Sequence, residues 1–204
     1  MNTIPPGTES VNDPDERVRV MENHDEAYHI WRRANVRDRI LVHIDAHHDM
    51  WWIPDDAPVT IANFICPAIK NNLVREVIWV VPDPAWTSRE SRQAVLRHVQ
   101  TIEKTYPGAR RRATVGPTGI STHVAGTQLK VCPLRFLPEM TEPVLLDVDI
   151  DFLMIPRVTY GTKHADQQTL PWCCPRSWYP GCARAGFAPI WSRSPIPWRA
   201  VTRP

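Results

Sequence analysis

Glu76-Val77-Ile78-Trp79-Val80-Val81 is the stretch on which the fold turns. It is almost wholly apolar, rich in β-branched and aromatic residues, and stopped by Pro82. That is the pattern of a strand buried on both faces, as in a parallel sheet. Downstream, Ser88 to Tyr106 predicts a helix, with Val95, Leu96, Val99 and Ile102 as its apolar stripe and Thr87 and Glu90 as a capping box. Upstream, Arg39 to Ile44 predicts another strand, and Asp25 the N-cap of a short helix through Ala27, Ile30, Trp31 and Ala34. Arg17 to Met21 alternates charged and apolar residues and predicts a first strand. Pro54 to Pro58 marks a loop, and the apolar run Val59 to Leu73 predicts a helix. Further strands are expected at Ile120–Val124, Leu129–Cys132 and Val144–Ile150. Strands alternating with helices indicate an α/β domain with a mostly parallel sheet.

Composition narrows the class. Hydrophobic residues make up 43% of the 204 and charged residues 23%, the balance of a soluble globular protein. No apolar run reaches membrane-spanning length, and Met1 to Glu16 has no apolar core of a secretory signal, so the cytoplasm is the expected location. Five cysteines at irregular spacing suggest neither a disulfide framework nor zinc knuckles. All 22 acidic residues lie at or before Asp166, where the net charge is −3. Arg110-Arg111-Arg112 follows Pro107-Gly108 and reads as a solvated turn, and five Arg scattered through the tail make a weak footprint for nucleic acid. No nucleic-acid or membrane partner is expected.

The chain is expected to divide into a polar, disordered N-terminus over 1–16, a domain over 17–175, and an atypical tail over 176–204. From Pro171 to Pro204 there are seven Pro and four Trp without helical or strand periodicity. Disordered tails are poor in Trp, and this composition matches a shifted reading frame in GC-rich DNA.

Chemistry concentrates in two runs: Asp45-Ala46-His47-His48-Asp49 and Asp147-Val148-Asp149-Ile150-Asp151. Alternation puts Asp45, His47 and Asp49 on one side and Ala46 and His48 on the other, and groups the three aspartates of the second run likewise. Three carboxylates ending a buried strand repel one another, and burying even one unpaired costs several kcal/mol. Divalent cations relieve that cost. A donor set of Asp with a minority of His suits Mn better than Mg or structural Zn. His43, one step deeper than Asp45, Asp147, innermost of its trio, and Glu22 are expected behind the ligands. Trp51 and Trp52 are expected to pack, and Cys66 to be a buried small hydrophobe. His98 and His123 have no partner legible in the sequence, and His164 lies in a polar stretch.

Together with His24 after Glu22-Asn23, these motifs resemble the ureohydrolase superfamily of arginases and histone-deacetylase-like enzymes. Its members carry a His at a strand–helix junction, an Asp-Ala-His-x-Asp run, and an Asp-x-Asp at a strand end. More closely, Glu22-Asn23-His24, His43 to Met50 and Asp149-Ile150-Asp151-Phe152-Leu153 resemble an uncharacterised family that includes peptide arginases, which convert arginine in peptides to ornithine with release of urea. The resemblance covers roughly residues 17–175 and implies a three-layer arginase-like fold.

It also implies six metal ligands for two Mn2+. His24 and Asp49 serve one ion, His47 and Asp151 the other, and Asp45 and Asp149 bridge, so that the pair activates water for attack on a guanidinium carbon. The implied substrate is an arginine-containing peptide or small guanidino compound. Two departures stand out. Val20-Met21-Glu22-Asn23 replaces the usual glycine-rich approach to the first His, and no acidic residue follows Asp166 to grip a guanidinium; within the strand itself, Asp147 stands where the family usually has a Ser. Glu22 or Asp25 serves instead, guanidine specificity is absent, or the fold is C-terminally incomplete, the last being the expectation. The alternatives are an amide or acetyl-lysine hydrolase with one Zn2+, and a truncated metal-binding protein without activity.

Overall fold

The computed structural model describes residues 18–108 and 113–153. Six strands form one mixed, mostly parallel sheet: β1 (Arg39–Ile44), β2 (Val74–Val81), β3 (Thr114–Val115), β4 (Ile120–Val124), β5 (Thr127–Pro133) and β6 (Val144–Val148). Their order across the sheet is β3-β4-β5-β2-β1-β6. The run β5-β2-β1-β6 is parallel, and β3 and β4 are antiparallel additions on the β5 side. The helices are α1 (Glu26–Arg33), α2 (Ile65–Lys70) and α3 (Arg89–Thr105).

The apolar run Glu76 to Val81 explains the centre. In β2, Val77, Trp79 and Val81 face one side and Ile78 and Val80 the other, and all are buried. On the first side they join Leu41, Leu129 and Val131 in one core with Ala27 and Trp31 of α1, Ile65 and Ile69 of α2, and Val95, Val99 and Ile102 of α3. All three helices therefore cover that face. The other face carries Ile40, Val42, Ile44, Ile78 and Val80 under Leu134, Leu137 and Phe152. Among the described residues, short 3-10 turns rather than helices supply that cover.

Several expectations are corrected. Residues 18–21 form no strand, and Val20 is fully exposed. Both edges of β1 are already taken by β2 and β6, and alternation alone cannot create a partner. The apolar run 59–73 is buried in large part, but its helix is only α2. Pro67 has no N–H to bond back a turn, which keeps the helix from starting earlier, and Asn72 at φ +55° ends the segment. The cap of α3 is Ser88, whose hydroxyl accepts from the Ser91 N–H at 3.0 Å, while Thr87 donates to the Pro84 carbonyl. Asp25 sits at the N-cap of α1 without a side-chain cap bond. β6 stops at Val148, so Asp149 and Asp151 lie beyond the strand, the latter within a 3-10 turn at Ile150–Leu153.

The β4–β5 hairpin turns on Ala125-Gly126, both at positive φ, the geometry that matches strand twist. Gly119 enters β4 so close to β5 that a Cβ there would sit 2.3 Å from the Val131 carbonyl oxygen. Gly119→Ala must push the two strands apart and is expected to cost about 1–3 kcal/mol, read as a lower midpoint in denaturant unfolding. Wild-type stability in this variant would contradict the close approach.

The 1–16 segment, Arg110 to Arg112, His164 and the 176–204 tail lie outside the described residues. Among those described, no helix is long and apolar enough to cross a membrane. Cys66 and Cys132 are buried free thiols.

Candidate metal centre

β1 and β6 run side by side, and their parallel register pairs His43 with Asp147 and Ile44 with Val148. Each chain leaves the sheet at the same edge, the C-terminal edge where ligands gather in open α/β sheets. The Asp149 N–H continues the ladder by donating to the Ile44 carbonyl at 3.0 Å, which sets the second aspartate run beside the first. Above them, His24 lies at the entry to α1, where its carbonyl accepts from Ala27, and its ring leans on Phe64 at 4.9 Å between centroids.

The aspartates converge on His24. Its Nδ1 lies 3.5 Å from Asp45 Oδ2, 3.3 Å from Asp49 Oδ2 and 3.5 Å from Asp149 Oδ2. A second group forms around His47, whose Nδ1 lies 2.7 Å from Asp151 Oδ2 and 3.6 Å from Asp45 Oδ1. Asp45 thus shows one oxygen to each group. Asp49 reaches its place with φ at +49°, a left-handed backbone flanked by two hydrogen bonds: Met50 N–H to His48 Nδ1 at 2.8 Å and, from the start of α2, Ile65 N–H to the Asp49 carbonyl at 3.2 Å. Backbone donors orient the other carboxylates. Asp45 Oδ1 accepts from His47 N–H, Asp149 Oδ1 from Asp151 N–H, and Asp151 Oδ1 from Ala46 N–H.

Behind this layer, Asp147 Oδ1 accepts from His24 Nε2 at 2.9 Å and Asp147 Oδ2 from His43 Nδ1 at 2.7 Å. Trp79 donates its indole N–H to the Asp45 carbonyl at 3.0 Å. Two buried atoms at the centre have no hydrogen-bond partner, Asp45 Oδ2 and His43 Nε2. The residues present fit divalent metal. His and Asp atoms cluster in four overlapping groups: His24, Asp45 and Asp149; Asp45, His47 and Asp151; His43, Asp45 and Asp49; and His24, His43 and Asp147.

Of the residues expected from sequence, His24, Asp45, His47, Asp49, Asp149 and Asp151 are all brought together. Asp147 and His43 stand behind them. Glu22 is exposed and belongs to none of these groups. His48 points away, as expected, into a ring cluster with Trp51, Trp79 and His98. Sequence reasoning missed Phe64 and Trp79. A Trp in a buried strand needs an acceptor for its N–H, and that was the available signal for Trp79.

Charge at the centre follows from burial and pairing. Burial opposes the charge on His24, but hydrogen bonds to Asp147 and Asp49 outweigh it and raise its pKa to about 11. Hydrogen bonds to Asp151 and Asp45 raise His47 to about 10. Burial pushes Asp45 up to about 7 against the pull of His47 and His43. Burial also works against ionised Asp147, but its two imidazole partners hold it down at about 2. His48 and His98 are driven the other way by burial, His98 to about 4, and stay neutral.

These shifts predict a pH profile. In metal-free protein, the stability contributed by His24 and His47 is full below about 6.5 and is lost as pH rises through about 10 and 11. That from Asp147 is full above about 3.8 and lost as pH falls through about 2. Asp45 adds a cost that grows above its unfolded value and is complete past about 7. Maximum stability without metal is therefore expected between about pH 4 and 6.5. Metal requires unprotonated imidazoles, so loading moves the maximum upward. Thermal unfolding in chelator and in excess Mn2+ measures both; an unmoved maximum would count against coordination by these histidines.

No family model, curated protein or solved structure matches the chain.

Proposed function

We propose that the chain is a dinuclear-metal hydrolase of C–N bonds with an arginase-like fold, acting on arginine in a peptide or on a small guanidino compound. The observation that carries this reading is Asp45, whose Oδ2 faces the His24 group and whose Oδ1 faces the His47 group. One carboxylate offered in two directions is what a pair of ions requires. His24, Asp49, Asp45 and Asp149 would hold one ion, and His47, Asp151 and Asp45 the other, with Mn2+ favoured by the mixed nitrogen and oxygen donors. When bound, such a pair lowers the pKa of water towards neutrality and stabilises charge at the reacting carbon.

The residues themselves do the rest. Asp147 fixes the His24 ring, and Phe64 excludes water beneath it. The cluster is closed at His43 and Asp147, whose side chains are 0% and 6% exposed, and open at His47, 54% exposed. Substrate therefore approaches over His47, Asp149 and Asp151. Five carboxylates against two divalent ions leave negative charge before substrate binds, which suits a cationic guanidinium. Water adds to the guanidinium carbon, the bond to the side-chain nitrogen breaks, and that nitrogen takes a proton, giving ornithine and urea.

A second reading has its own observation. Asp45, His47 and Asp151 form a complete three-donor set, enough for one Zn2+ in a deacetylase-like amide hydrolase. Incubating the full chain with Mn2+ and arginyl peptides, then weighing the products, separates the two. The arginase reading expects each reacted arginine to lose the mass of cyanamide, with urea released in equal amount. Deacetylation of an acetyl-lysyl peptide with arginine left intact would favour the second.

A further inference from the structure

His43 is the most buried histidine of the cluster and the one whose role the six-ligand reading leaves unexplained. It lies on β1, wholly inaccessible, between Asp147 on one side and Asp45 and Asp49 on the other. Its Nδ1 is 2.7 Å from Asp147 Oδ2, a short hydrogen bond. Its Nε2 has no hydrogen-bond partner, although it is 3.5 Å from Asp45 Oδ2 and 4.0 Å from Asp49 Oδ2. Asp45 Oδ2, equally buried, has no partner either. Two buried polar atoms, both dry, facing one another and yet unbonded, would each cost free energy if nothing else engaged them.

The spacing suggests what does. A gap of 3.5 Å is long for a hydrogen bond. Two donor atoms on one ion, with bonds of about 2.1 Å, stand about 3.0–3.5 Å apart for octahedral to tetrahedral angles. The His24 Nδ1 contacts with Asp45, Asp49 and Asp149 fall in that range, and so does His43 Nε2 with Asp45.

The hydrogen-bond directions agree. A carboxylate accepts and does not donate, so Asp147 takes a proton donor from each ring it touches. His24 must present N–H at Nε2 and His43 at Nδ1. In their neutral forms the lone pairs are then at His24 Nδ1 and His43 Nε2, the two atoms directed at Asp45 and Asp49. One aspartate thereby sets two imidazoles for coordination, the arrangement by which a partner behind a ligand fixes its tautomer.

We infer that His43 is itself a metal ligand through Nε2, so that the inner ion is held by two imidazoles, His24 and His43, together with the carboxylates of Asp45, Asp49 and Asp149. Asp147 is the positioning residue for both rings. The inference rests on the metal reading above and adds a seventh ligand to it. It also makes the two ions unequal: the inner one is richer in nitrogen and buried, the outer one carries His47 alone and faces solvent. Borderline cations are selected at the inner position more strongly than Mg2+.

The test is a count of coordinated histidines in the full chain loaded with Co2+, whose paramagnetism shifts the exchangeable N–H proton of each ligating imidazole far from the rest of the NMR spectrum. Three shifted N–H signals are expected from wild type, two of them slow to exchange because His24 and His43 donate to buried Asp147. His43→Gln is expected to remove one slow signal and weaken binding of the inner ion by about 100-fold or more, beyond what loss of a merely supporting partner costs. Two shifted signals in wild type overturn the inference and leave the six-ligand centre standing. Absence of bound Co2+ and of any shifted signal overturns the metal centre as well. The wild-type count decides even if His43→Gln does not fold.

Discussion

Asp45→Ala is expected to strip the protein of both ions and to bring hydrolysis to background. Among the described residues, no other side chain presents an oxygen to each of the two imidazole groups, Oδ2 to His24 and Oδ1 to His47. Losing a partner behind a ligand already costs about 10- to 100-fold in metal affinity, so loss of a shared ligand must exceed about 100-fold. The stability effect has opposite signs with and without metal. Burial raises Asp45 to about 7 and leaves its Oδ2 unpartnered, so above that pH the ionised group is a burden on the metal-free fold. In chelator at pH 8, Asp45→Ala should melt no lower than wild type. In excess Mn2+ it should melt lower, because wild type gains about 2.7 kcal/mol per ion at a hundredfold excess over Kd and the variant gains nothing. A variant that melts lower in chelator by the same margin would mark Asp45 as a structural residue.

Trp79→Ala carries the largest expected cost to folding. The indole is wholly buried in β2, on the helix-covered face, beside His48 and His98. Removing it leaves a cavity and takes the donor from the Asp45 carbonyl. The cavity costs about 3–5 kcal/mol and the stranded acceptor adds to it. Total stabilities run about 5–15 kcal/mol, so this variant should be near or past its unfolding midpoint at room temperature. Trp79→Phe separates the two parts. It keeps a ring but not the N–H, and should unfold about 1–2 kcal/mol more easily while binding metal more weakly through the displaced Asp45 turn. Equal metal affinity in Trp79→Phe and wild type would show that the indole supports the core alone.

How much of this was legible depends on whether a feature is local. β1 begins and ends at the residues its composition marks, because Ile40 to Ile44, apolar but for His43, are buried between two neighbouring strands. β2 extends only two residues further back than its apolar stretch. The clustered residues were legible as types and spacing, since carboxylates at the end of a buried strand are costly without a counter-charge. Alternation foretold that His48 would leave the group, yet the reason differs: residues 45–49 lie beyond the strand, in a bend and irregular chain, and Asp49 joins the cluster through a left-handed backbone rather than through strand geometry.

What was not legible depends on contacts between segments. Nothing in Arg17 to Met21 tells a strand from extended chain, because the answer lies in whether the segment reaches an open edge of the sheet, at β3 or β6. Nothing in Val59 to Leu73 separates helix from buried turn except the position of Pro67. The antiparallel hairpin appears only when Ala125-Gly126 is recognised as a two-residue turn. His43 is the clearest case. Its place one step below Asp45 suggested a supporting role, but its register with Asp147, and the direction this gives its Nε2, come only from the pairing of β1 with β6.

Metal stoichiometry tests the dinuclear centre. The full chain, stripped by chelator, equilibrated with Mn2+ and freed of excess, should retain two ions per chain by elemental analysis, with both lost in Asp45→Ala. One ion or none in the wild type, or two still held by Asp45→Ala, would contradict the account.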